Sequence, residues 1–339
     1  MNFKTMNKTL AAIAAILLTM AAAVYIALPH RILTMVTEYA PVTFEDVLGS
    51  DSMRNDFGIG NASHPADYGY QRVEDFAFAS LRDQISLEGW YIEREKPGDR
   101  CVVLVHGRTS NRLKPMKYLA LFRDLDLDTA YNFFLPDLRN SGRAQQARTY
   151  MGYKFAEDLC AGLIALAEKK GQTKFTLYGF SMGAMAIYNL LGRADLQDNL
   201  LSAGIDIEML ITDSPLANVK ATLGKNAADM NLPGFIFERT FRIYSRAIEH
   251  SGERMSLHIL MAGNTIPWLI LQSEDDRTTL VAILREELDL LDAPRRPEVH
   301  YFSGPDHVRI YQSPETHEPY TRTVRGFFES NYNSATPPQ

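Results

Sequence analysis

The residues best placed to do chemistry are a serine in a glycine turn and several histidines and carboxylates further along the chain. Ser181 stands at the centre of Gly179-Phe180-Ser181-Met182-Gly183, between a β-prone run at 175–178 and a helix-forming segment at 184–191. The glycines permit a turn too tight for a Cβ atom, and a strand, a sharp turn and a helix together expose the serine hydroxyl. These flanking elements favour a nucleophile at Ser181 over an ordinary serine in a glycine-rich turn.

A serine hydroxyl needs a base to take its proton, and the base needs an acid to orient it. Among the eight histidines, only His307 lies in the loop that follows the last predicted strand at 298–302, close to a glycine, whereas His106 lies in the predicted oxyanion loop. His300 is the alternative, but it lies inside that strand, where a histidine more often serves packing. The sequence therefore predicts His307 as the base.

Three acidic residues follow the predicted strand at 268–271 and could supply the orienting acid. Asp276 is favoured because it is farthest along the loop, just before a predicted helix at 278–291. Asp275 and Glu274 remain alternatives. An acidic residue at this position would also suit the N-terminus of the helix, and one side chain can do both.

The tetrahedral intermediate of acyl transfer needs two backbone N–H donors. One is predicted at Met182, where the helix after the nucleophile begins. The other is predicted at Arg108, in the polar loop that follows the apolar run 101–105. Only the amide of Arg108 is invoked, so its side chain is expected to be an ordinary loop residue. The residues expected to support the elbow and the oxyanion loop are His106, Gly107, Gly179 and Gly183.

The elements that must position these residues alternate between strands and helices. Two β-prone runs, 73–79 and 85–93, form a hairpin-like pair, and apolar strands then alternate with helices up to a final helix at 315–330. The helices between them include one predicted at 112–125 and one at 153–170, which Gly171 is expected to end. This pattern predicts an α/β fold with a mostly parallel sheet flanked by helices. In such sheets ligands bind beyond the carboxyl ends of the strands, where the candidate residues lie.

The order Ser181, Asp276, His307, with His106-Gly107 ahead of the G-F-S-M-G elbow, resembles the α/β-hydrolase superfamily over residues 70–328. Within it the chain is similar to bacterial hydrolases with an N-terminal membrane segment, related to the serine aminopeptidase-like group. The resemblance implies an α/β-hydrolase fold.

It also implies that the helix-rich insertion at about 217–263 is a short lid over the substrate site. The segment 137–142 resembles a D-x-R-G-x-G loop of the family, with Asn140 where glycine is usual. Asparagine tolerates a left-handed φ better than most residues, so the turn can survive. Gln272-Ser273 stands where His-Gly is usual, which leaves Asp276 and Asp275 open as the acid.

The N-terminus is of a different kind. Residues 10–28 carry no charge, and Lys4 and Lys8 precede them. The length suits a membrane-spanning helix, and lysines on the N-terminal side place that end in the cytoplasm. Ala21-Ala22-Ala23 offers the alternative of a cleaved signal peptide. We expect a single-pass membrane protein with an extracytoplasmic catalytic domain, or else a secreted one.

The predicted organisation is an anchor or signal segment at 1–30, a linker at 31–69, a catalytic domain at 70–330 and a disordered tail at 331–339. The 339 residues carry a net charge of −6 without a basic stripe, which argues against a nucleic-acid partner. Two cysteines cannot form a disulfide framework, and Cys101 and Cys160 are expected to be buried thiols. No Cys/His cluster has zinc spacing, and no cofactor is expected.

The leading hypothesis is a serine hydrolase, in particular a carboxylesterase, acting through Ser181, His307 and Asp276 on a small-molecule ester. A peptidase acting on short peptides is the second hypothesis. The third is a non-catalytic, membrane-tethered binding protein with the same fold.

Overall fold

The computed structural model describes residues 3–95, 98–248 and 252–332. At its centre is an eight-stranded sheet with the strand order β1-β2-β4-β3-β5-β6-β7-β8. The strands are β1 (Val73–Ala79), β2 (Ser86–Ile92), β3 (Arg100–Val105), β4 (Asn132–Asp137), β5 (Lys174–Phe180), β6 (Asp206–Asp213), β7 (Trp268–Ser273) and β8 (Glu298–Phe302). β2 is antiparallel to both β1 and β4, and every pairing from β4 to β8 is parallel. The predicted α/β class is confirmed.

Helices cover both faces of this sheet. They are α1 (Phe3–Thr37), α2 (Phe44–Leu48), α3 (Asp51–Phe57), α4 (Leu113–Met116), α5 (Tyr118–Asp124), α6 (Tyr153–Lys170), α7 (Met182–Gly192), α8 (Ala194–Ser202), α9 (Val219–Asp229), α10 (Gly234–Ala247), α11 (Leu257–Leu260), α12 (Val281–Leu290) and α13 (Pro314–Tyr332). Short 3₁₀ turns lie at Pro65–Tyr68, Tyr150–Gly152 and Gly252–Arg254.

The central strand β3 shows how the two cores are divided. Cys101, Val103 and Val105 point into a core with α6 and α7, whereas Val102 and Leu104 point into a second core with α5 and α13. All five side chains are fully buried. A strand that is buried on both faces has apolar residues at successive positions, and this pattern identified β3 in the sequence.

Helix boundaries follow the local signals where these are strong. α6 has the predicted bounds, and Gly171 ends it with a φ of +67°, a left-handed conformation that costs glycine little. The single helix predicted at 112–125 is instead the pair α4 and α5. Lys117 separates the two and itself keeps right-handed helical angles (φ −56°, ψ −28°), so the chain continues from α4 into α5 with little change of backbone.

The segment predicted as a linker, residues 31–69, is in fact part of the folded domain. Phe44, Val47, Phe57 and Ile59 are buried in the core that contains α5 and α13. Two N-caps also fix its helices, with Thr43 and Asp46 forming a reciprocal capping box. Sequence patterns did not indicate this packing, because these apolar residues are few, the helices that carry Phe44, Val47 and Phe57 are too short to show periodicity, and Ile59 lies after α3.

The N-terminal helix α1 continues to Thr37, beyond the predicted 1–30 segment. Its most apolar window of 18 residues, within Leu10–Thr37, has a mean hydropathy of 2.4, and the helix is long and apolar enough to cross a membrane. At the other end, α13 includes residues 331 and 332 of the predicted tail, and residues 333–339 lie outside the described residues. Cys101 and Cys160 are free, buried thiols, as predicted.

Candidate active site

Ser181 lies at the turn between β5 and α7 with φ = 53° and ψ = −117°. This conformation is rare for a residue with a side chain and stores backbone strain. Backbone hydrogen bonds hold it: the Ser181 amide donates to the Asp213 carbonyl at 3.1 Å, and the Leu216 amide donates to the Ser181 carbonyl at 3.1 Å. The carboxyl end of β6 therefore fixes the strained serine from both sides.

The two elbow glycines are needed for close packing. A Cβ on Gly183 would lie 2.2 Å from the Val105 carbonyl oxygen, and one on Gly179 would lie 2.6 Å from the Ile187 side chain. Neither glycine has a positive φ, since Ser181 itself takes that conformation. The absence of side chains lets α7 start directly against the end of β3.

His307 and Asp276 come together at the carboxyl ends of β8 and β7. Nδ1 of His307 lies 2.7 Å from Oδ2 of Asp276, and the Asp276 carboxylate is fully buried while the His307 side chain is 19% exposed. A carboxylate at this distance makes Nδ1 the protonated nitrogen of a neutral imidazole. Nε2 is thereby left as a proton acceptor, the state that a general base needs.

Several donors hold the Asp276 carboxylate. Oδ1 accepts from the amides of Thr278 and Thr279 at 2.8 and 2.7 Å, and Oδ2 accepts from the Thr279 hydroxyl at 2.8 Å. Burial by itself raises the pKa of Asp276, but His307 and the Thr279 donors outweigh it and hold the pKa below its usual value. Asp276 is therefore a fixed, ionised carboxylate that also caps the turn before α12.

The alternative candidates have other partners. Asp275 accepts a hydrogen bond from the Gly304 amide at 2.6 Å, and Glu274 accepts one from the Ser303 hydroxyl at 2.8 Å. His300 pairs with Glu298 at 2.6 Å on β8, at the edge of the sheet. Of the three acids and two histidines considered, the structure brings only Asp276 and His307 together.

The loop that carries His307 is anchored to β6 by a residue that the sequence analysis did not single out. Ser214 has a φ of +50°, and its hydroxyl oxygen accepts from the Val308 amide at 3.1 Å. The same hydroxyl donates to Asp213 at 2.9 Å. Val308 itself has a φ of +54°, which is unusual for a β-branched residue. Ser214 directly follows a buried strand, and this position in the sequence could have indicated that it lies at the site.

The Asp213 carboxylate beneath Ser214 is fully buried and accepts from the hydroxyls of Tyr118 at 3.0 Å and Tyr320 at 2.8 Å. Burial raises its pKa above the ordinary value. Its hydrogen-bond partners are these two tyrosines and Ser214, so Asp213 supports the site from behind.

His106 organises the loop after β3. Its Nε2 accepts from the Leu138 amide at 3.0 Å, and Nδ1 lies 2.8 Å from the Gly107 carbonyl oxygen, which assigns the proton to Nδ1. Burial lowers the pKa of His106 to about 4. A neutral, fully bonded imidazole of this kind joins the loop after β3 to the loop after β4.

The same loop passes directly beside the nucleophile. A Cβ on Gly107 would lie 3.0 Å from the Ser181 Cβ. Arg108, the next residue, donates from its guanidinium to the Met35 carbonyl at 3.2 Å and lies over the Tyr39 ring at 4.3 Å. The Arg108 side chain is thus no ordinary loop residue, because it ties the loop to α1 and to the chain just after it.

The loop at 137–142 is built as its resemblance implied. Asn140 has a φ of +59°, the left-handed conformation expected of a residue in the place of glycine. Its side-chain amide donates to the Tyr39 carbonyl at 2.7 Å. A Cβ on Gly142 would lie 2.2 Å from Asp137, so the carboxylate fills the space inside the turn.

Ser181 and His307 line one small cavity of about 40 Å³ together with the loop after β3. Its remaining lining residues are His106, Gly107, Arg108, Ser110, Lys114, Pro115, Tyr118, Phe180 and Val308. No carboxylate is among these lining residues, and the charged side chains are Arg108 and Lys114. Within the described residues, no group of three or more His, Cys, Asp or Glu side chains is placed to hold a metal ion.

The insertion between β6 and β7 consists of α9, α10, the 3₁₀ turn at Gly252–Arg254 and α11. In its described part it contributes no strand to the sheet, as predicted, and makes an isolated bridge between Asn218 and Ser256. Residues 249–251, which include His250, lie outside the described residues. α10 packs against α1, which places the insertion beside the N-terminal helix.

Comparisons with known proteins agree with this architecture. A family model described as alpha/beta hydrolase fold matches residues 100–220. The Pyrococcus furiosus esterase PF2001 structure is 22% identical with a TM-score of 0.60, covering 80% of this chain and 95% of that one. The acylaminoacyl peptidase of Pyrococcus horikoshii is 16% identical with a TM-score of 0.54, covering 76% of this chain and 41% of that one. Curated protein sequences give no significant match. The predicted α/β-hydrolase fold is confirmed.

Proposed function

We propose that this chain, which has the α/β-hydrolase fold, is a serine hydrolase that cleaves carboxylic esters through an acyl-enzyme intermediate. The observation that carries the proposal is the shared cavity of Ser181 and His307, with His307 Nδ1 held 2.7 Å from the Asp276 carboxylate. Nucleophile, base and orienting acid come from three different strand ends, an arrangement that packing alone does not require.

In the proposed mechanism, the Ser181 oxygen attacks the ester carbonyl carbon while His307 Nε2 takes the hydroxyl proton. The Asp276 carboxylate stabilises the resulting imidazolium. His307 then returns the proton to the leaving alkoxide, and an alcohol departs. Water attacks the acyl-enzyme with His307 again as base, which releases the carboxylic acid and restores the Ser181 hydroxyl.

The oxyanion of both tetrahedral intermediates is assigned to the backbone amides of Met182 and Arg108. Met182 is the first residue of α7, where a helical N–H has no partner within the helix. Arg108 follows Gly107, whose Cα lies against Ser181. Two such donors beside the nucleophile suit the charge that develops on the carbonyl oxygen. His106, Gly107, Gly179 and Gly183 hold these two segments together.

The lining of the site favours an ester over the peptide alternative. An aminopeptidase must bind the α-ammonium group of its substrate, and a carboxylate is the usual partner for such a cation. The residues that line the cavity at Ser181 include Arg108 and Lys114 and no carboxylate. We therefore place the peptidase second, and propose the insertion at 217–263 as the lid that shapes the substrate site.

The test compares p-nitrophenyl acetate with aminoacyl-p-nitroanilides, using the intact chain and Ser181→Ala. We expect kcat/KM to be larger for the ester, and we expect Ser181→Ala to fold and lose turnover of both substrates. A preference for the anilides would replace the esterase with a peptidase. Undiminished turnover by Ser181→Ala would overturn Ser181 as the nucleophile.

We further propose that α1 is retained as a single membrane anchor, with the catalytic domain outside the cytoplasm. Support comes from the apolar stretch Leu10–Thr37 and from Lys4 and Lys8 ahead of it. The mass of the membrane-extracted protein should include the whole N-terminus. A chain beginning after Ala23 would instead establish a cleaved signal peptide.

A further inference from the structure

The N-terminal helix is divided into two parts by its surroundings. From Leu10 to Ala27 its described side chains are exposed, whereas Pro29, Leu33 and Thr37 are buried at a spacing of four residues. About 18 residues of helix span roughly 27 Å, close to the thickness of a bilayer's hydrocarbon core. The exposed part thus has the length of a membrane span, and the last three turns belong to the catalytic domain.

A second cavity, of about 430 Å³, lies between these last turns of α1 and the insertion. α1 supplies one wall with Leu28, Ile32 and Val36, and α9 and α10 supply the opposite wall with residues such as Leu223 and Phe237. The volume is within the range of small-molecule sites, about 300–1,000 Å³.

Three polar side chains at this cavity make hydrogen bonds within the protein, whereas Asn226 also lines it and the Nε atom of Arg108 is buried without a partner. The Thr240 hydroxyl donates to the Ile236 carbonyl at 2.9 Å, and the Tyr244 hydroxyl donates to the Tyr150 carbonyl at 3.1 Å. The Arg108 guanidinium donates to the Met35 carbonyl. An apolar ligand can therefore enter without leaving these three groups unpaired, while a polar ligand would find few partners.

The cavity is next to the reacting atoms. Arg108 lines both it and the small cavity that contains Ser181 and His307. A substrate with its carbonyl at Ser181 can therefore direct an apolar chain past Arg108 and between α1 and α10.

The opposite end of the cavity lies where α1 would leave the bilayer. Tyr25 packs against Phe235 of α10 with ring centroids 6.1 Å apart, and the Arg239 guanidinium lies over the Tyr25 ring at 4.3 Å. Phe235 and Met230 are 63% and 76% exposed. Aromatic and arginine side chains beside exposed apolar ones are typical of the membrane interface.

We propose that this cavity binds the fatty acyl chain of a membrane lipid ester, which enters from the bilayer between α1 and α10. The proposal rests on the esterase function above and gives it a substrate class, long-chain acyl esters. The helix α1 then serves as a wall of the substrate site as well as an anchor. Each methylene buried in the cavity favours binding by about fourfold, so chain length should dominate specificity.

The test uses the full-length protein in detergent micelles with p-nitrophenyl acetate and p-nitrophenyl dodecanoate. Ala227 lines the cavity, and Ala228 is its exposed neighbour on α9. Ala227→Phe should lower kcat/KM for the dodecanoate at least about tenfold, since loss of two methylene sites costs that much. Ala228→Phe should leave the rates on both esters unchanged, and Ala227→Phe should lower the dodecanoate rate far more than the acetate rate, because the acetyl group is too short to reach the cavity.

The outcomes separate the two proposals. Failure of the parent to hydrolyse either the acetate or the dodecanoate refutes the esterase function. Acetate hydrolysis with no preference for the dodecanoate, or with Ala227→Phe behaving like Ala228→Phe, refutes the acyl-chain site and leaves the esterase standing.

A binding measurement covers the case in which Ala227→Phe does not fold. Ser181→Ala should bind dansyl-undecanoic acid with a blue shift of its emission and release it to dodecanoate. If this protein does not bind the probe, the acyl-chain site is refuted without reference to any rate.

Discussion

Replacing Asp276 by asparagine should remove activity by changing which nitrogen of His307 carries the proton. Oδ1 of Asp276 accepts from two backbone amides, those of Thr278 and Thr279, which cannot turn away. The asparagine oxygen must take that position, so its NH₂ group replaces Oδ2 and faces His307 Nδ1. A donor at that position requires Nδ1 to accept, and the proton moves to Nε2.

With its proton on Nε2, neutral His307 cannot accept the proton of Ser181. The same change of tautomer in a Ser-His-Asp enzyme lowers kcat about 10,000-fold, which corresponds to about 5 kcal/mol of activation free energy. We expect a loss of this order for Asp276→Asn, with little change in KM because the carboxylate is buried behind the imidazole.

The assay is steady-state hydrolysis of p-nitrophenyl acetate by the parent, Asp276→Asn and Asp275→Asn. Asp275 is the matched control, since its carboxylate accepts from the Gly304 amide and does not contact His307. Asp275→Asn should keep kcat within about tenfold of the parent. The reasoning is refuted if folded Asp276→Asn also stays within tenfold, or if Asp275→Asn is the variant that loses activity.

Two further predictions concern the support of the site. Gly183→Ala should destabilise the fold by about 3 kcal/mol or more in denaturant unfolding, because its Cβ would lie 2.2 Å from the Val105 carbonyl oxygen. Gly326→Ala in α13, where the Cβ meets nothing within 4 Å, should be neutral or slightly stabilising, and equal effects would contradict the packing argument. His106 has a pKa of about 4 in the fold against 6.5 unfolded, so the unfolded chain binds the proton first and stability falls as pH drops from 6.5 to 4. The free energy of unfolding of His106→Gln should therefore decrease by up to about 3 kcal/mol less than that of the parent between pH 6.5 and pH 4. If parent and variant show the same pH profile of unfolding, His106 is not the buried neutral group described.

Much of the fold followed from local patterns in the sequence. The alternation of buried strands with periodic helices identified the sheet, and α6 was predicted to the residue because Gly171 ends it. The strand order was not readable, since pairing depends on contacts between distant segments. The packing of residues 31–69 was missed because Phe44, Val47 and Phe57 lie in helices too short to show a period.

Some residues of the candidate site could likewise be predicted from the sequence, and others could not. The elbow could be found because Gly179, Ser181 and Gly183 lie within five consecutive residues, and a Cβ on either glycine would collide with its surroundings. The choice of Asp276 over Asp275 depends on the conformation of one loop, which the sequence does not determine. Ser214 escaped notice because its role is to hold Val308, which is distant in sequence.

The N-terminal helix carried a signal that could have been used. Leu28, Ile32 and Val36 recur every four residues within the apolar stretch, which marks one face of the helix. The face is hard to recognise in a uniformly apolar segment, because the mean hydropathy does not distinguish the side that packs on protein from the other sides of the helix. The structure separates the exposed turns from the turns that pack on α10.

The central claim, that Ser181 is an activated nucleophile, is tested most directly by covalent labelling. In intact protein treated with a fluorophosphonate probe, the Ser181 oxygen should displace fluoride from phosphorus, so the protein gains the mass of one probe less HF, mapped to the peptide that contains Ser181. Ser181→Ala should not be labelled, and Asp276→Asn should react far more slowly. If folded parent protein is not labelled while a known serine hydrolase in the same sample is, the chain is a non-catalytic protein with this fold and the account fails.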